Sequence, residues 1–291
     1  MNAYIKHKIA HNAHRALVSV KWVIFAILVG TIVGLCGSAF YFGMSYVTFL
    51  RTAHPWLILL LPAGGLVIVG LYHLFHDEKD TGTNLVISAI HSGDELPFRM
   101  APLIFISTLI THLFGGSAGR EGAALQMGGS IGNALGRLFR FDEKDKHVMI
   151  MCGMSAAFSA LFGTPMAAAI FPMEMVSVGV MYYIALVPCV ISSLVAHGIA
   201  VSFGVSNELF LIGEIPAFGI LSSVKISVLA ILCALVSILF CVILHQTGHL
   251  YKKLFKNPYL RVFAGGCLVV LLTCLVGSQS YNGTGINIIE N

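Results

Sequence analysis

The chain has 291 residues, of which 57% are hydrophobic and only 10% charged, whereas a soluble domain carries about 25% charged residues. This composition excludes an ordinary water-soluble enzyme, because the polar residues are too few to cover a globule. The formal net charge of +4 comes from a few loop clusters, so there is no basic stripe of the kind that binds nucleic acid. We therefore expect a multi-pass protein of the cell membrane with no nucleic-acid partner.

Two membrane-spanning helices are the first elements predicted. Residues 1–18 form a polar, basic N-terminal segment, which the positive-inside rule places in the cytoplasm. Residues 22–50 carry no charge, and about 20 apolar residues are enough to cross a bilayer. A long, tilted first helix is therefore expected. A second span is predicted over residues 56–75.

Shorter, interrupted apolar segments follow. Residues 83–90 are apolar but too few to cross a bilayer, which predicts a re-entrant or half-spanning helix. Glycine and proline interrupt several later segments, notably at Gly163-Thr164-Pro165, and such breaks are typical of transporters with discontinuous helices. The fold class predicted is all-α, with about ten membrane segments over residues 22–50, 56–75, 83–90, 100–114, 123–139, 148–162, 166–180, 181–203, 220–244 and 262–276.

Cysteine and histidine spacing indicates neither a disulfide framework nor a metal site. The seven cysteines lie in apolar stretches without paired spacing, so we interpret them as small buried residues. The twelve histidines include no H-E-x-x-H pair, which argues against a zinc protease. We predict no metal and no cofactor.

Acidic residues give the strongest functional signal. Of the thirteen in the chain, only Glu121 and Glu174 are embedded between long apolar stretches. A charge at mid-membrane costs about 2.5–3.5 kcal/mol or more, so such a residue is functional by default. Two structural alternatives stay open: Glu121 as an interfacial loop residue paired with Arg120, and Glu174 as a buried helix carboxyl bonded to a neighbouring segment.

The surroundings of Glu121 indicate an anion site. Glycines bracket it in Gly115-Gly116-Ser117-Ala118-Gly119-Arg120-Glu121-Gly122, and glycine lets backbone amides approach a ligand closely. An apolar run of helical length begins at Ala123, so residues 120–123 should form a helix N-terminus, which attracts anions. A carboxylate placed there can occupy the anion's position and release it on protonation. The later glycines, Gly128, Gly129, Gly132 and Gly136, are better interpreted as helix-packing positions.

These residues resemble the CLC family of chloride channels and halide–proton antiporters. Gly119-Arg120-Glu121-Gly122 is similar to that family's G-[KR]-E-G-P motif, with Ala123 in place of its proline. Gln126-Met127-Gly128-Gly129, Gly163-Thr164-Pro165 and Met173-Glu174-Met175 extend the likeness. The resemblance implies that Glu121 is the external gating and proton-binding glutamate and that the anion is bound at Gly119, Arg120, Gly122 and Ala123.

Two departures from the family pattern bear on the substrate. The region expected to match the family's G-S-G-I-P motif reads Thr81-Gly82-Thr83-Asn84-Leu85, so Thr83 or Asn84 would replace the serine that donates to the central anion. Where proton-coupled members often have two glutamates, this chain has Glu174 and Met175, which leaves Glu174 as the candidate internal proton residue. Loss of the serine motif resembles the fluoride–proton antiporter branch. Fluoride is therefore favoured, and chloride stays open.

The second half of the chain is predicted to be incomplete. The resemblance implies an inverted-repeat homodimer, with a first repeat over residues 19–203 and a partial second repeat over 204–291. Residues 280–287 resemble the start of a half-helix in that second repeat, and the chain then stops at Asn291. Three alternatives to a proton-coupled halide transporter are a channel of the same family without proton coupling, a non-functional truncated member, and an intramembrane enzyme using Glu121, Glu174 and His112.

Overall fold

The computed structural model describes the backbone of residues 2–75, 83–92, 96–176, 182–206 and 219–285, and the side chains of 17–75, 85–90, 96–175, 182–206 and 219–285. Within these ranges the ordered elements are helical. They are α1 (Asn2–Ala53), α2 (Leu61–Leu74), α3 (Thr83–Ser92), α4 (Met100–Leu113), α5 (Glu121–Leu138), α6 (Glu143–Phe162), α7 (Pro165–Val176), α8 (Leu186–Ser202), α9 (Ile220–Leu254) and α10 (Pro258–Val276). Short 3₁₀ turns, Pro55–Leu60 and Tyr183–Ala185, lead into α2 and α8. The all-α prediction is confirmed.

Five of the described segments are long and apolar enough to cross a membrane: Leu17–Ala53, Pro55–Leu74, Tyr183–Ser202, Ile220–Leu254 and Pro258–Val276. The predicted count of ten therefore matches the number of described helices rather than the number of full spans. The segment predicted over residues 100–114 is confirmed to within one residue, as α4, although it is a short one. Helix α4 has 14 residues, or about 21 Å at 1.5 Å per residue, against a hydrocarbon core of about 30 Å.

Local sequence signals set the helix ends. Asp142 accepts a hydrogen bond from the Asp145 N–H at 2.8 Å and caps α6, so this helix begins before the apolar run does. Gly163, with φ of +66°, ends α6, and Pro165 opens α7. The predicted break at Gly163-Thr164-Pro165 is therefore confirmed. Helix α9 runs ten residues past the predicted limit of 244 and has Lys252 and Lys253 in its last turn, where cations complement the helix dipole.

The core is formed by α1, α5, α6 and α8, and α5 and α6 pack most closely. A Cβ placed at Gly128 would clash with the carbonyl oxygen of Gly153, and a Cβ at Gly132 with that of Met149. A Cβ placed at Gly129 would lie 2.9 Å from Val86 Cγ1, and one placed at Gly136 would lie 3.2 Å from Lys146 Cγ. These contacts confirm that the α5 glycines bring two helix backbones together, as small residues do in membranes.

Helices α9 and α10 contrast with this core, because neither contains a buried residue. Helix α10 packs against α2, where Gly266 faces the Pro62 ring and backbone. The interpretation of the cysteines as buried holds for Cys152 and Cys189 but is wrong for four on α9 and α10: Cys233, Cys241, Cys267 and Cys274 are exposed. Apolar helices in a bilayer do not need protein cover, so an apolar context does not predict burial there.

Candidate functional site

The N-terminus of α5 is where the sequence predicted it. Arg120 is the N-cap residue and Glu121 the first helical residue. The first backbone hydrogen bond of the helix joins the Ala124 N–H to the Arg120 carbonyl at 3.0 Å. The N–H groups of Glu121, Gly122 and Ala123 precede this bond and have no acceptor within the helix. Three amides and the positive end of the helix dipole thus give this tip the chemistry that suits an anion.

The Glu121 carboxylate folds back over the loop that leads into α5. A Cβ placed at Gly119 would lie 2.5 Å from Glu121 Oε2, so any larger residue at 119 would displace the carboxylate. The Glu121 side chain is exposed in the described structure. The carboxylate therefore lies at the exposed tip of the helix. Gly122 and Ala123 are half-buried beside it.

Arg120 points the other way, into the protein. Its side chain is 8% exposed, and its guanidinium lies 5.3 Å from the centre of the Phe162 ring, within range of a cation–π interaction. Phe162 is the last residue of α6, next to the break at Gly163. The packing of Arg120 thus fixes the start of α5 relative to the α6–α7 break, and both belong to motifs singled out in the sequence.

Residues after α10 hold the loop that precedes α5, and sequence reasoning missed this connection. The Ser117 hydroxyl donates to the Tyr281 carbonyl at 2.7 Å. Gln279 Nε2 donates to the Pro55 carbonyl at 2.8 Å. The turn over residues 278–285 therefore bridges the end of α1 and the loop 114–120. No local pattern signals contacts between residues more than 150 positions apart. The resemblance of residues 280–287 to a half-helix start stays a prediction, because residues 286–291 lie outside the described ranges.

Thr83 and Asn84, the candidate central-anion donors, are the first two residues of α3. Their side chains lie outside the described residues. One turn later on α3, Val86 packs on α5, with its Cγ1 2.9 Å from a Cβ placed at Gly129. Helix α3 thus lies against the glycine face of α5, more than two turns from Glu121. The assignment of Thr83 and Asn84 to the anion site stays a prediction.

Glu174 lies near the C-terminal end of α7, two residues after Pro172 within the helix. Its side chain is exposed in the described structure, and Met175 beside it is half-buried. Its role in an internal proton path stays a prediction. His112, named for the enzyme alternative, is in the last turn of α4 and is 1% exposed. Among the described residues no group of three or more His, Cys, Asp or Glu side chains could hold a metal ion.

The α5 tip with Glu121 thus lies in a fold of short and interrupted apolar helices. The family model "Voltage gated chloride channel" matches residues 63–291. A chloride/fluoride channel protein of Pseudomonas syringae pv. tomato is 38% identical over 262 residues, which are 90% of this chain and 58% of that protein. The H(+)/Cl(-) exchange transporter ClcA of Vibrio cholerae is 26% identical over 91% of this chain and 60% of its own length.

A comparison with solved structures also finds a similar protein. The crystal structure of a CLC-type fluoride/proton antiporter superposes with a TM-score of 0.88 at 31% identity, over 93% of this chain and 69% of that one. The chain therefore belongs to the voltage-gated chloride channel (CLC) family and is a multi-pass membrane protein. It spans 58% of the length of the Pseudomonas relative.

Proposed function

We propose that the protein moves a small halide across the cell membrane, with fluoride favoured over chloride, and couples this movement to protons through Glu121. The observation that carries the proposal is the tip of α5. Three amides without intrahelical acceptors and the Glu121 carboxylate lie within one helical turn. The chain's own carboxylate, which is itself an anion, thus lies beside a site that suits an anion.

Competition for this tip would couple the two ions. In its charged form the Glu121 carboxylate is attracted by the α5 amides and the helix dipole. Protonation removes that charge, so the side chain leaves and a halide takes its position. When the halide departs, the carboxylate returns and releases its proton. Gly119 gives the carboxylate the room for this movement, since a side chain at 119 would collide with Oε2.

The preference for fluoride rests on the donor set and on the relatives. Fluoride holds water tightly, so its site must supply strong donors, and Thr83 or Asn84 would provide them in place of the family's serine. The names of the Pseudomonas relative and of the superposed antiporter both include fluoride. Ion-selective electrodes measure both halides on proteoliposomes of the protein expressed from its complete reading frame. Fluoride efflux faster than chloride efflux is expected, and equal rates would refute the preference.

Coupling to protons is tested by Glu121→Gln. We expect halide efflux to persist and its dependence on pH to disappear, because the amide cannot take up a proton. Glu143→Gln is the matched control: Glu143 is also a first-turn glutamate, but it belongs to α6. Unchanged proton movement in Glu121→Gln would remove Glu121 from this role. Halide flux without proton movement in the unmodified protein would favour the channel alternative.

We also propose that the functional unit is a homodimer in the lipid bilayer, with a first repeat over residues 19–203 and a second beginning at 204. The apolar surfaces of α9 and α10 support this proposal, since they require lipid or another protein surface as cover. Glu174 is proposed as the inner proton residue. Cross-linking in native membranes tests the dimer, and Glu174→Gln tests the proton role through slower proton movement at unchanged halide selectivity.

A further inference from the structure

The loop 114–120 carries the backbone over which the Glu121 carboxylate folds. At the start of the loop, the Gly116 N–H donates to a carbonyl of α4 at 2.8 Å. At its end, the Arg120 side chain is buried, with its guanidinium 5.3 Å from the centre of the Phe162 ring. Both ends of the loop are thus fixed to the helices of the first half of the chain, so the middle of the loop decides where the carboxylate lies.

One hydrogen bond holds the middle of this loop, residues 117–119. The Ser117 hydroxyl donates to the Tyr281 carbonyl at 2.7 Å, and within the described ranges residues 117–119 form no other hydrogen bond. Two positions after the serine, a Cβ placed at Gly119 would lie 2.5 Å from Glu121 Oε2. A small shift of the loop would therefore change the space open to the carboxylate, and the hydrogen bond of Ser117 opposes such a shift.

The Tyr281 carbonyl belongs to the turn over residues 278–285, which is itself fixed to two other elements. Gln279 Nε2 donates to a backbone carbonyl of the 3₁₀ turn before α2 at 2.8 Å. A Cβ placed at Gly283 would lie 2.9 Å from Arg51 Nη2, so the turn also packs against the end of α1. The loop before α5 is therefore held by an acceptor that is fixed in place and that comes from the region after α10.

We propose that Ser117 is a positioning residue for Glu121. Its hydrogen bond to the Tyr281 carbonyl fixes the middle of the loop, and the loop keeps the carboxylate beside the free amides of α5. Ser117 acts through the carboxylate and not on the halide itself. The turn after α10 thus takes part in the exchange of carboxylate and halide. This role rests on the proposed function of Glu121, whereas the restraint on the loop does not.

Hydrogen exchange measures the restraint on the loop without any transport. Deuterium uptake is followed by mass spectrometry in the protein expressed from its complete reading frame. Loss of one hydrogen bond shifts an equilibrium by about fivefold, so amides 118–123 should exchange up to about fivefold faster in Ser117→Ala. Ser117→Thr keeps the hydroxyl and should restore the slow exchange. Ser202→Ala is the matched control, since Ser202 is exposed and donates only to a carbonyl of its own helix. Equal exchange in Ser117→Ala and the unmodified protein would overturn the proposal.

Transport in two backgrounds separates positioning from a purely structural role. In proteoliposomes, proton movement per halide should fall by about twofold to fivefold in Ser117→Ala, because a displaced carboxylate lets halide pass without a proton. In the Glu121→Gln background the same change should leave halide efflux as it is, since residues that act together are not additive.

Unchanged coupling in Ser117→Ala, or efflux lowered by the same factor in both backgrounds, would refute positioning, because Ser117 would then act on the fold alone. Full proton coupling in Glu121→Gln would instead refute the proposed function. Faster hydrogen exchange in Ser117→Ala would still show in that case that the hydrogen bond restrains the loop, so the two proposals can fail separately.

Discussion

Helices α5 and α9 differ in a way that hydropathy does not predict. The most apolar window of α9 has a mean hydropathy of 3.1 and none of it is buried, whereas α5 contains Gln126, Ser130 and Asn133 and buries all three. The difference lies in glycine: α5 places Gly128 and Gly132 directly against the backbone of α6. In this protein small residues rather than apolar ones mark the helices that pack together.

The largest expected effect comes from filling the α5–α6 contact. Gly128→Leu should abolish folding, because even a Cβ at 128 meets the Gly153 carbonyl, and overpacking costs about 1–3 kcal/mol or more when the backbone must move. Gly248→Leu on α9 is the matched change, since nothing lies within 4 Å of that position. Size-exclusion profiles of the detergent-solubilised variants measure folding. Equal loss in both variants would show that α9 is packed as tightly as α5.

A pair of glycines tests the contact between Arg51, at the end of α1, and the turn that follows α10. Gly283 and Gly285 have φ of +75° and +72°, but only Gly283 has the Arg51 guanidinium against it. Each change to alanine carries the left-handed backbone cost of about 1–2 kcal/mol, and Gly283→Ala should cost more because it also displaces Arg51. Thermal melting compares the two. Equal Tm values would show that the contact of Gly283 with Arg51 contributes nothing to the stability of the protein.

Buried and exposed serines should differ by a smaller amount. Ser159 is fully buried, and its hydroxyl donates to the Ser193 carbonyl at 2.8 Å, which joins α6 to α8. Ser159→Ala should lower the free energy of unfolding by about 1 kcal/mol. Ser227 on α9 donates only to the Ser223 carbonyl of its own helix, so Ser227→Ala should have little effect. Denaturant unfolding measures both, and a larger loss for Ser227→Ala would reverse the comparison.

The smallest effect is expected at the exposed start of α6. A hydrogen bond from Lys146, and then its charge, lower the pKa of the Glu143 carboxyl. A lowered pKa in the folded state stabilises the protein above the unfolded value, which is about 4.3, and this contribution is lost as the pH falls through the folded value. Glu143→Gln should therefore lower the Tm slightly at pH 7 and not at low pH. A Tm difference that grows on acidification would contradict this sign.

Much of the fold could be predicted because apolar runs end at glycine, proline or charge. The α6–α7 break at Gly163 and the start of α5 at Arg120 are both local signals, and the structure has them where they were expected. The length of α9 was underestimated, because the predicted segment stopped at residue 244, where the apolar run ends, whereas the helix continues to Lys252 and Lys253 and cations suit the last turn of a helix.

The contacts around the candidate site were harder to predict from the sequence than the site itself. The Glu121 tip is encoded in contiguous residues, so its glycines and amides could be identified directly. The contacts of Arg51 with Gly115 and Gly283 join positions that no periodicity relates, and Arg51 resembles any charge at the end of a span. The structure was needed to show that this arginine is buried.

Equilibrium halide binding to Glu121→Gln is the most direct test of the exchange at the α5 tip. If the carboxylate and the halide compete for the same amides, removal of the charge should tighten fluoride binding at pH 7 in isothermal titration calorimetry. Binding should also lose its dependence on pH, whereas the unmodified protein binds more tightly as it is acidified. Equal affinity and equal pH dependence in the two proteins would contradict the exchange.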